Sequence, residues 1–463
     1  MNRRDFVKSF AAVASSVAGV GCVSQRSVDY SGGASVKAVA EMDAGYSRSA
    51  SGKLIISAPM LQNPAPTSMG VAFAVSAMAN GFVEYSEFAD MRNARKVKCG
   101  GFRVTDMNDK VMLVRLTGLK PSTKYFYRIG ADRIFYGGGY KMRIIGVEQD
   151  PRVYTFTTSG EDARSHFCVY NDTHAKWEEF AQVTDKVAEL NPAVVIWNGD
   201  ACNTQETIES LRNIFLAPPI ERRDYASEMP VCFVPGNHDM RGMACRRLEK
   251  VVMFRQPEER LSRDWDLGRN FAFRQGDIAL IGLDTAEDKL DSRDVFAGLF
   301  CSEPYRVAQT AWLADALERP EIKSAPYIVA FCHIPLFDSD PTSNPGDIYP
   351  NDTDPRYRTD FASWQRACSK MWGPLFIKAG VQLVVTAHTH KYRYDAPAED
   401  RPWAHLVAGG WRWNNARGQF QTVIEGKTEN GKLKVTVHDI YNKKIVKVLE
   451  FSPRKAANAT KRI

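Results

Sequence analysis

Hydrophobic and polar positions follow two rhythms along the chain. From about residue 51 to 158, short alternating or apolar runs are broken by turn residues, at 54–57, 69–76, 81–86, 111–116, 124–129 and 152–158. Strand-length runs at that spacing predict a small antiparallel β-sandwich. After about residue 163 the runs become apolar throughout, at 167–170, 194–197, 231–234, 278–283, 328–331 and 383–386. Segments of helical periodicity lie between them, at 176–189, 204–215, 309–317 and 363–378. Strands without alternation are covered on both faces, and helices between them predict an α/β domain. The stretch 270–281 reads as a hairpin, so the sheets are mixed. Beyond residue 408 strands return at 422–425, 432–438 and 444–451.

The two ends depart from this pattern. Residues 1–22 combine a basic start, a small-residue apolar run over 9–21 and then Cys22, which reads as an export signal and not as fold. Arg3-Arg4-Asp5-Phe6-Val7-Lys8 resembles the twin-arginine export signal of bacteria, which implies a periplasmic or cell-envelope location. Cys22 after Gly19-Val20-Gly21 resembles a lipoprotein cleavage site, which implies a lipid anchor. Residues 23–50, rich in Ser, Gly and Ala, are expected to be a flexible tether. The formal charge of +7 resides in the leader (Arg3, Arg4, Lys8 and Arg26 against Asp5) and in the basic tail 454–463, leaving the body neutral. No nucleic-acid partner is therefore implied. No later apolar stretch approaches the ~20 residues of a spanning helix. Cys168, Cys232 and Cys332 fall inside apolar strands, and no CxxC pair suggests a zinc ribbon or a dithiol.

Five predicted strands run into polar clusters: Asn171-Asp172-Thr173-His174, Asn198-Gly199-Asp200, Gly236-Asn237-His238-Asp239, His333, and Ala387-His388-Thr389-His390. Carboxyl ends of strands in open α/β sheets converge on the ligand crevice, so these clusters should meet. Any one of them is an ordinary cap or turn sequence. Together, they would bring imidazoles and carboxylates into mutual burial that only a cation offsets. His, Asp and Asn donors without thiolate suit Mn, Fe or Zn, and their number exceeds one tetrahedral site, so two divalent metal ions are expected.

In this order, Asp-x-His, Gly-Asp-x-x-Asn, Gly-Asn-His-Asp, a lone His after a strand, and x-His-x-His resemble the calcineurin-like metallophosphoesterases, over residues 163–453. The segment 114–128 resembles the "tgLkPgTtYyYr" corner of fibronectin type III-like domains, and the two together are similar to the purple acid phosphatase-like branch. That resemblance implies a mixed β-sandwich flanked by helices in α/β/β/α layers, preceded by a small all-β domain over 51–158. It also implies one metal on Asp172, His174, Asp200 and His390, and a second on Asp200, Asn237, His333 and His388. A water shared by the metals would attack a small-molecule phosphate monoester or diester, with His238 as general acid and Asn203 orienting its ring. His174 stands where true purple acid phosphatases lack a histidine, and Asn203 where they place the iron-binding tyrosine, so Mn, Fe and Zn stay open. Two other functions fit the same residues: a pyrophosphate or nucleotide-sugar hydrolase of the same mechanism, and an envelope binding module without turnover.

Further candidates surround this set. Arg241 could bind a phosphoryl oxygen or form a salt bridge, residues 338–360 could form a substrate-facing rim, and Trp411-Arg412-Trp413 could line the cleft or pack. His166, His405 and His438 read as structural, and Asp284 as a turn or supporting residue.

Overall fold

The computed structural model describes residues 52–99, 110–137, 141–254, 267–337, 355–412 and 419–454. The export signal with Cys22, the tether, residues 338–354 of the expected rim, Trp413 and tail residues 455–463 lie outside them. Strands β1 (Met60–Ala65), β2 (Ser68–Ala74), β3 (Ala79–Ser86) and β4 (Arg95–Lys98) come first. They are followed by β5 (Val111–Thr117), β6 (Lys124–Tyr136), β7 (Met142–Gln149) and β8 (Tyr154–Thr157). The second part has β9 (His166–Tyr170), β10 (Val194–Asn198), β11 (Val231–Val234), β12 (Phe271–Gln275), β13 (Ile278–Leu283) and β14 (Tyr327–Cys332). It ends with β15 (Leu383–Thr386), β16 (Arg393–Asp395), β17 (Ala404–Val407), β18 (Thr422–Glu429), β19 (Lys432–Asp439) and β20 (Lys444–Phe451). The helices are α1 (Trp177–Leu190), α2 (Ile208–Phe215), α3 (Ser302–Glu318), α4 (Pro320–Lys323) and α5 (Pro355–Ala379).

These strands form three sheets, ordered β20-β19-β18-β9-β10-β11-β1-β2-β5, β12-β13-β14-β15-β17-β16, and β4-β3-β6-β7 with β8 beside β6. The first two stack, because each apolar run sends alternate side chains to opposite faces. Phe167, Val169, Val194 and Ile196 point into the core shared with Ile278, Leu280, Val329 and Leu383 of the second sheet. Their neighbours Cys168, Tyr170, Val195 and Trp197 point outward against Phe180 and Val183 of α1 and Leu211 and Phe215 of α2. On the other side Ala279, Ile281 and Ile328 meet Leu313 of α3 and Cys368, Trp372 and Phe376 of α5. Helix, sheet, sheet and helix are thus stacked in that order, as the resemblance implies.

The helix ends follow local chemistry. The pattern predicts a helix from 204, yet α2 starts only at Ile208, because Thr207 caps it and exchanges hydrogen bonds with Ser210 in a capping box. Helix α3 begins seven residues before the expected 309, at Ser302; its inward face carries Ser302, Arg306 and Gln309, polar groups that break the apolar stripe. Residues 355–360, expected in the rim, belong to α5.

The N-terminal strands do not stop at the expected boundary between 158 and 163. Strand β1 runs parallel to β11 with Gln62 opposite Val231, so β1, β2 and β5 extend the sheet that carries β9, β10 and β11. The stretch expected as a strand at 54–57 makes only an isolated bridge, Ile55 to Val75. The strand that does join, with Asn63 and Pro64 in it, carries a weak strand signal. This part still has its own core, with Phe73, Val83, Tyr127 and Phe156 buried together. Tyr127 ties the two parts, its buried hydroxyl donating to Ser227 O at 2.6 Å. Arg454, expected in the tail, is tied down as well, donating to Ala325 O at 2.7 Å and Ala379 O at 2.8 Å.

Trp197 is the centre of the outer core: its ring lies 5.1 Å from Phe180, 5.1 Å from Phe215 and 5.2 Å from Tyr170 between centroids. Trp197→Ala should destabilise the protein by about 3–5 kcal/mol, read from urea unfolding, because that many rings cannot close over the gap. A loss below about 1 kcal/mol would show that the ring cluster is not a packing centre.

Candidate metal centre

The polar clusters follow β9, β10, β11, β14 and β15, all five at the carboxyl ends of parallel neighbours, and the structure brings them together. Backbone hydrogen bonds zip the loops: Asp172 N to Gly199 O at 3.0 Å, His174 N to Asp200 O at 3.0 Å, and Ala387 N to His333 O at 2.7 Å. Asn198 joins the two sheets by donating to Cys332 O at 3.0 Å. Five of the seven expected ligands have left-handed backbones: Asp172 (φ 47°), His174 (45°), Asp200 (52°), His388 (69°) and His390 (58°). Non-glycine residues at positive φ are strained, and such strain collects at functional sites. Glycines make room for them. A Cβ on Gly410 would lie 2.5 Å from that of Asp172, and one on Gly236 would lie 2.3 Å from Asp200 Oδ1.

Around the carboxylates stand the imidazoles. Asp172 Oδ1 is buried without a hydrogen-bond partner. His390, His333 and His174 Nε2 surround it at 3.5, 3.8 and 3.9 Å. Asp200 Oδ2 is 3.1 Å from His333 Nε2 and 3.7 Å from His174 Nε2, while its Oδ1 accepts from His238 N at 2.9 Å. Asn237 Oδ1 is 2.9 Å from His388 Nδ1. Three overlapping triads have ligand atoms within 4.8 Å of one another: Asp172, His174 and His390; His174, Asp200 and His238; and Asp200, His333 and His388. A buried carboxylate oxygen with no donor of its own, ringed by nitrogens just beyond hydrogen-bond range, is the donor set a divalent cation needs.

Each ring's other nitrogen is held, which sets which atom faces the site. His174 Nδ1 pairs with Asn203 Oδ1 at 2.7 Å, His333 Nδ1 with Asn198 O at 2.8 Å, and His390 Nδ1 with Trp411 O at 2.6 Å. All three therefore turn Nε2 inward. His388 is reversed: Nδ1 meets Asn237, and Nε2 lies 3.8 Å from Asp288 Oδ2. His238 is half-buried, and its Nδ1 is 2.9 Å from Asn203 O. Asn203 does reach His238, but through its backbone carbonyl; its amide, expected on that ring, orients His174 instead.

Burial and charge set the protonation of this cluster. Burial pushes the His174 imidazole down to about 4 and that of His388 down to about 3, so both rings are neutral near neutral pH and have lone pairs that could hold a cation. Burial also opposes charge on His333, but Asp200 and Asp172 outweigh it and raise the ring to about 10. Without a cation, a proton on His333 offsets part of the carboxylate charge. Burial and then the Asp200 charge push Asp239 up to about 7.

Asp239, read in the sequence only as part of a turn, is the clamp of this centre. Its carboxylate accepts from Asp200 N at 2.8 Å, Ala201 N at 3.2 Å, Gly236 N at 2.8 Å and Gln205 Nε2 at 3.0 Å. Asp288 carries no motif signal at all; it lies beside His388 only because the loop after β13 folds back. Arg241 is a salt-bridging arginine: it holds Glu287 at 2.8 and 2.7 Å and Asp288 at 3.2 Å. Trp411 borders the site, its ring 6.1 Å from that of His174. His166 pairs with Glu425 at 3.0 Å and His405 with Asp395 at 3.0 Å, while His438 lies 3.7 Å from Glu425; all three stand apart from the centre. Asp284 forms a turn by accepting from Ala286 N at 2.8 Å.

Residues 165–392 match the family described as calcineurin-like phosphoesterase. Among solved structures the fold is similar to purple acid phosphatase PPD1 from yellow lupin (Lupinus luteus) seeds, at 15% identity and a TM-score of 0.57, over 85% of this chain and 74% of that one. It is also similar to PhoD, at 11% identity and a TM-score of 0.55, over 87% of this chain and 92% of that one. No curated protein matches the chain.

Asn203→Ala should release the His174 ring while leaving the carbonyl that holds His238. Affinity for Mn²⁺, read by calorimetric titration, is then expected to fall about 10–100-fold, the usual cost of losing a partner behind a metal-bound histidine. Unchanged affinity would mean that His174 needs no such support.

Proposed function

We infer that this chain, whose residues 165–392 form a calcineurin-like phosphoesterase domain, hydrolyses small-molecule phosphate esters at a pair of divalent metal ions. The observation that carries this is the buried Asp172 oxygen without a donor, ringed by three imidazole nitrogens. Asp172, His174, Asp200 and His390 would hold one cation, and Asp200, Asn237, His333 and His388 the other. Asp200 suits the shared position, since its Oδ2 faces His333 and His174, from the two different sets. When bound, the metals would supply positive charge to the phosphoryl group and lower the pKa of water to roughly 7.

The chain's own groups do the rest. Asp172 and Asp200 are both buried, so their oxygens face the imidazoles and not solvent. His238 keeps Nδ1 on the Asn203 carbonyl, which leaves Nε2 to give a proton to the departing alkoxide. Its partial exposure fits a group that meets substrate.

With Mn²⁺ and a chromogenic phosphate ester, Asp200→Asn should cut kcat/KM by more than about a hundredfold, since the shared carboxylate is lost. His238→Gln should slow an alkyl phosphate about 10²–10⁴-fold and 4-nitrophenyl phosphate much less, because nitrophenolate leaves without a proton. Absent release by the wild-type protein, or equal release by wild type and Asp200→Asn, would favour an envelope binding module. Turnover confined to pyrophosphates or nucleotide sugars would favour the second hydrolase class.

A further inference from the structure

A cavity of about 1070 Å³ opens beside the His238 turn. One wall is the chain that follows His238, with Arg241 and Arg246; a second is Arg269; a third is the loop that holds Phe296, Leu299 and Phe300. Arg241 N bonds back to His238 O at 3.2 Å, so the cavity and His238 share a turn. The charges of this wall divide into two groups. Arg241 and Lys289 are taken up by Glu287 and Asp288, with Lys289 2.8 Å from Asp288. Arg246 is exposed. Arg269 rests on Met240 Sδ at 3.1 Å and faces the buried Asp284, so Arg246 carries the larger share of the open positive charge. Glu206, the acidic group of the lining, is 3.4 Å from Met243 N.

Facing these arginines is apolar surface that a soluble protein seldom leaves open. Leu299 is 72% exposed and Val295 68%, and the Phe296 and Phe300 rings pack at 4.4 Å between centroids as one aromatic surface. Guanidinium groups across from an aromatic pair fit a ligand with a flat apolar body and an attached anion. The position says which part of a substrate this is. If His238 protonates the leaving oxygen, as the proposed function holds, what that oxygen carries lies on the His238 side of the centre, where the same turn brings Met240 and Arg241 into the lining of this cavity.

We propose that the cavity is the leaving-group subsite, and that it selects phosphomonoesters of an alcohol that bears both an aromatic body and a second phosphate, such as a nucleoside bisphosphate. Water adds to the phosphorus at the metal centre and the P–O bond to the alcohol breaks. The electron pair goes to the alcohol oxygen, His238 supplies its proton, and the products are inorganic phosphate and the nucleoside monophosphate. This rests on the phosphoesterase reading, and two separate readouts distinguish the two claims.

The first readout is turnover by the Mn²⁺-loaded protein of adenosine 3′,5′-bisphosphate, adenosine 3′-monophosphate and 1,4-butanediol bisphosphate. The adenosine bisphosphate should be preferred by about tenfold or more over each of the others. In Arg246→Ala/Arg269→Ala its preference over the adenosine monophosphate should fall towards one, and in Phe300→Ala its preference over the butanediol ester should shrink. The second is binding of adenosine 5′-monophosphate to metal-free protein, which should weaken about tenfold in the double arginine variant. Turnover of all three esters at similar kcat/KM, or preferences and binding indifferent to the arginines, would overturn the subsite and leave the phosphoesterase reading standing. Arginine-dependent binding without turnover of any ester would overturn the leaving-group role together with the hydrolase reading.

Discussion

Everything at this centre depends on two carboxylates, Asp172 and Asp200, held in full burial at the ends of adjacent parallel strands with imidazoles instead of arginines or lysines around them. A buried carboxylate costs several kcal/mol in lost hydration unless charge is brought to it. Burial keeps His174 and His388 neutral, so those rings bring lone pairs and not charge. His333, beside Asp200 and Asp172, is raised enough to carry a proton at neutral pH. The arrangement is therefore incomplete in electrostatic terms as protein alone, and a cation completes it.

The rest of the molecule serves to keep that arrangement from relaxing. The two stacked sheets each deliver donors: β9, β10 and β11 lead into Asp172, His174, Asp200 and Asn237, and β14 and β15 into His333, His388 and His390. Asn198 stitches the sheets at the line where they meet. Asp239 ties three backbone amides of the Asp200 and Asn237 loops, so the left-handed turns that aim the ligands cannot unwind independently. The N-terminal strands add to this frame, since β1 continues the sheet beyond β11, the strand that leads into Asn237 and His238.

Much of this was legible in the sequence because it rests on local rules. Apolar runs such as Val194-Val195-Ile196-Trp197 are buried on both faces, and a polar cluster at the end of such a run marks the crevice. What escaped depends on contacts between distant segments. The sheet continues through Met60–Ala65, whose Asn and Pro hide its strand character, and nothing local marks Gln62 as the partner of Val231. Helix α3 begins early because Arg306, which points inward, bonds the carbonyls of Thr285 and Glu287, a buried polar anchor that periodicity reads as surface. Asn203 was placed on the right ring by its backbone and on another by its side chain, a choice that sequence spacing cannot make. Asp288 reaches the site, and Phe296 and Phe300 the cavity beside the His238 turn, from a long excursion after β13 where no motif signals them.

The most direct test is anomalous X-ray scattering at the Mn absorption edge from crystals grown with Mn²⁺. Two peaks about 3.5–4 Å apart are predicted, both within bonding distance of Asp200 and one on each ligand set. A single peak, or scattering only outside the cluster of Asp172, Asp200 and the imidazoles, would contradict the account.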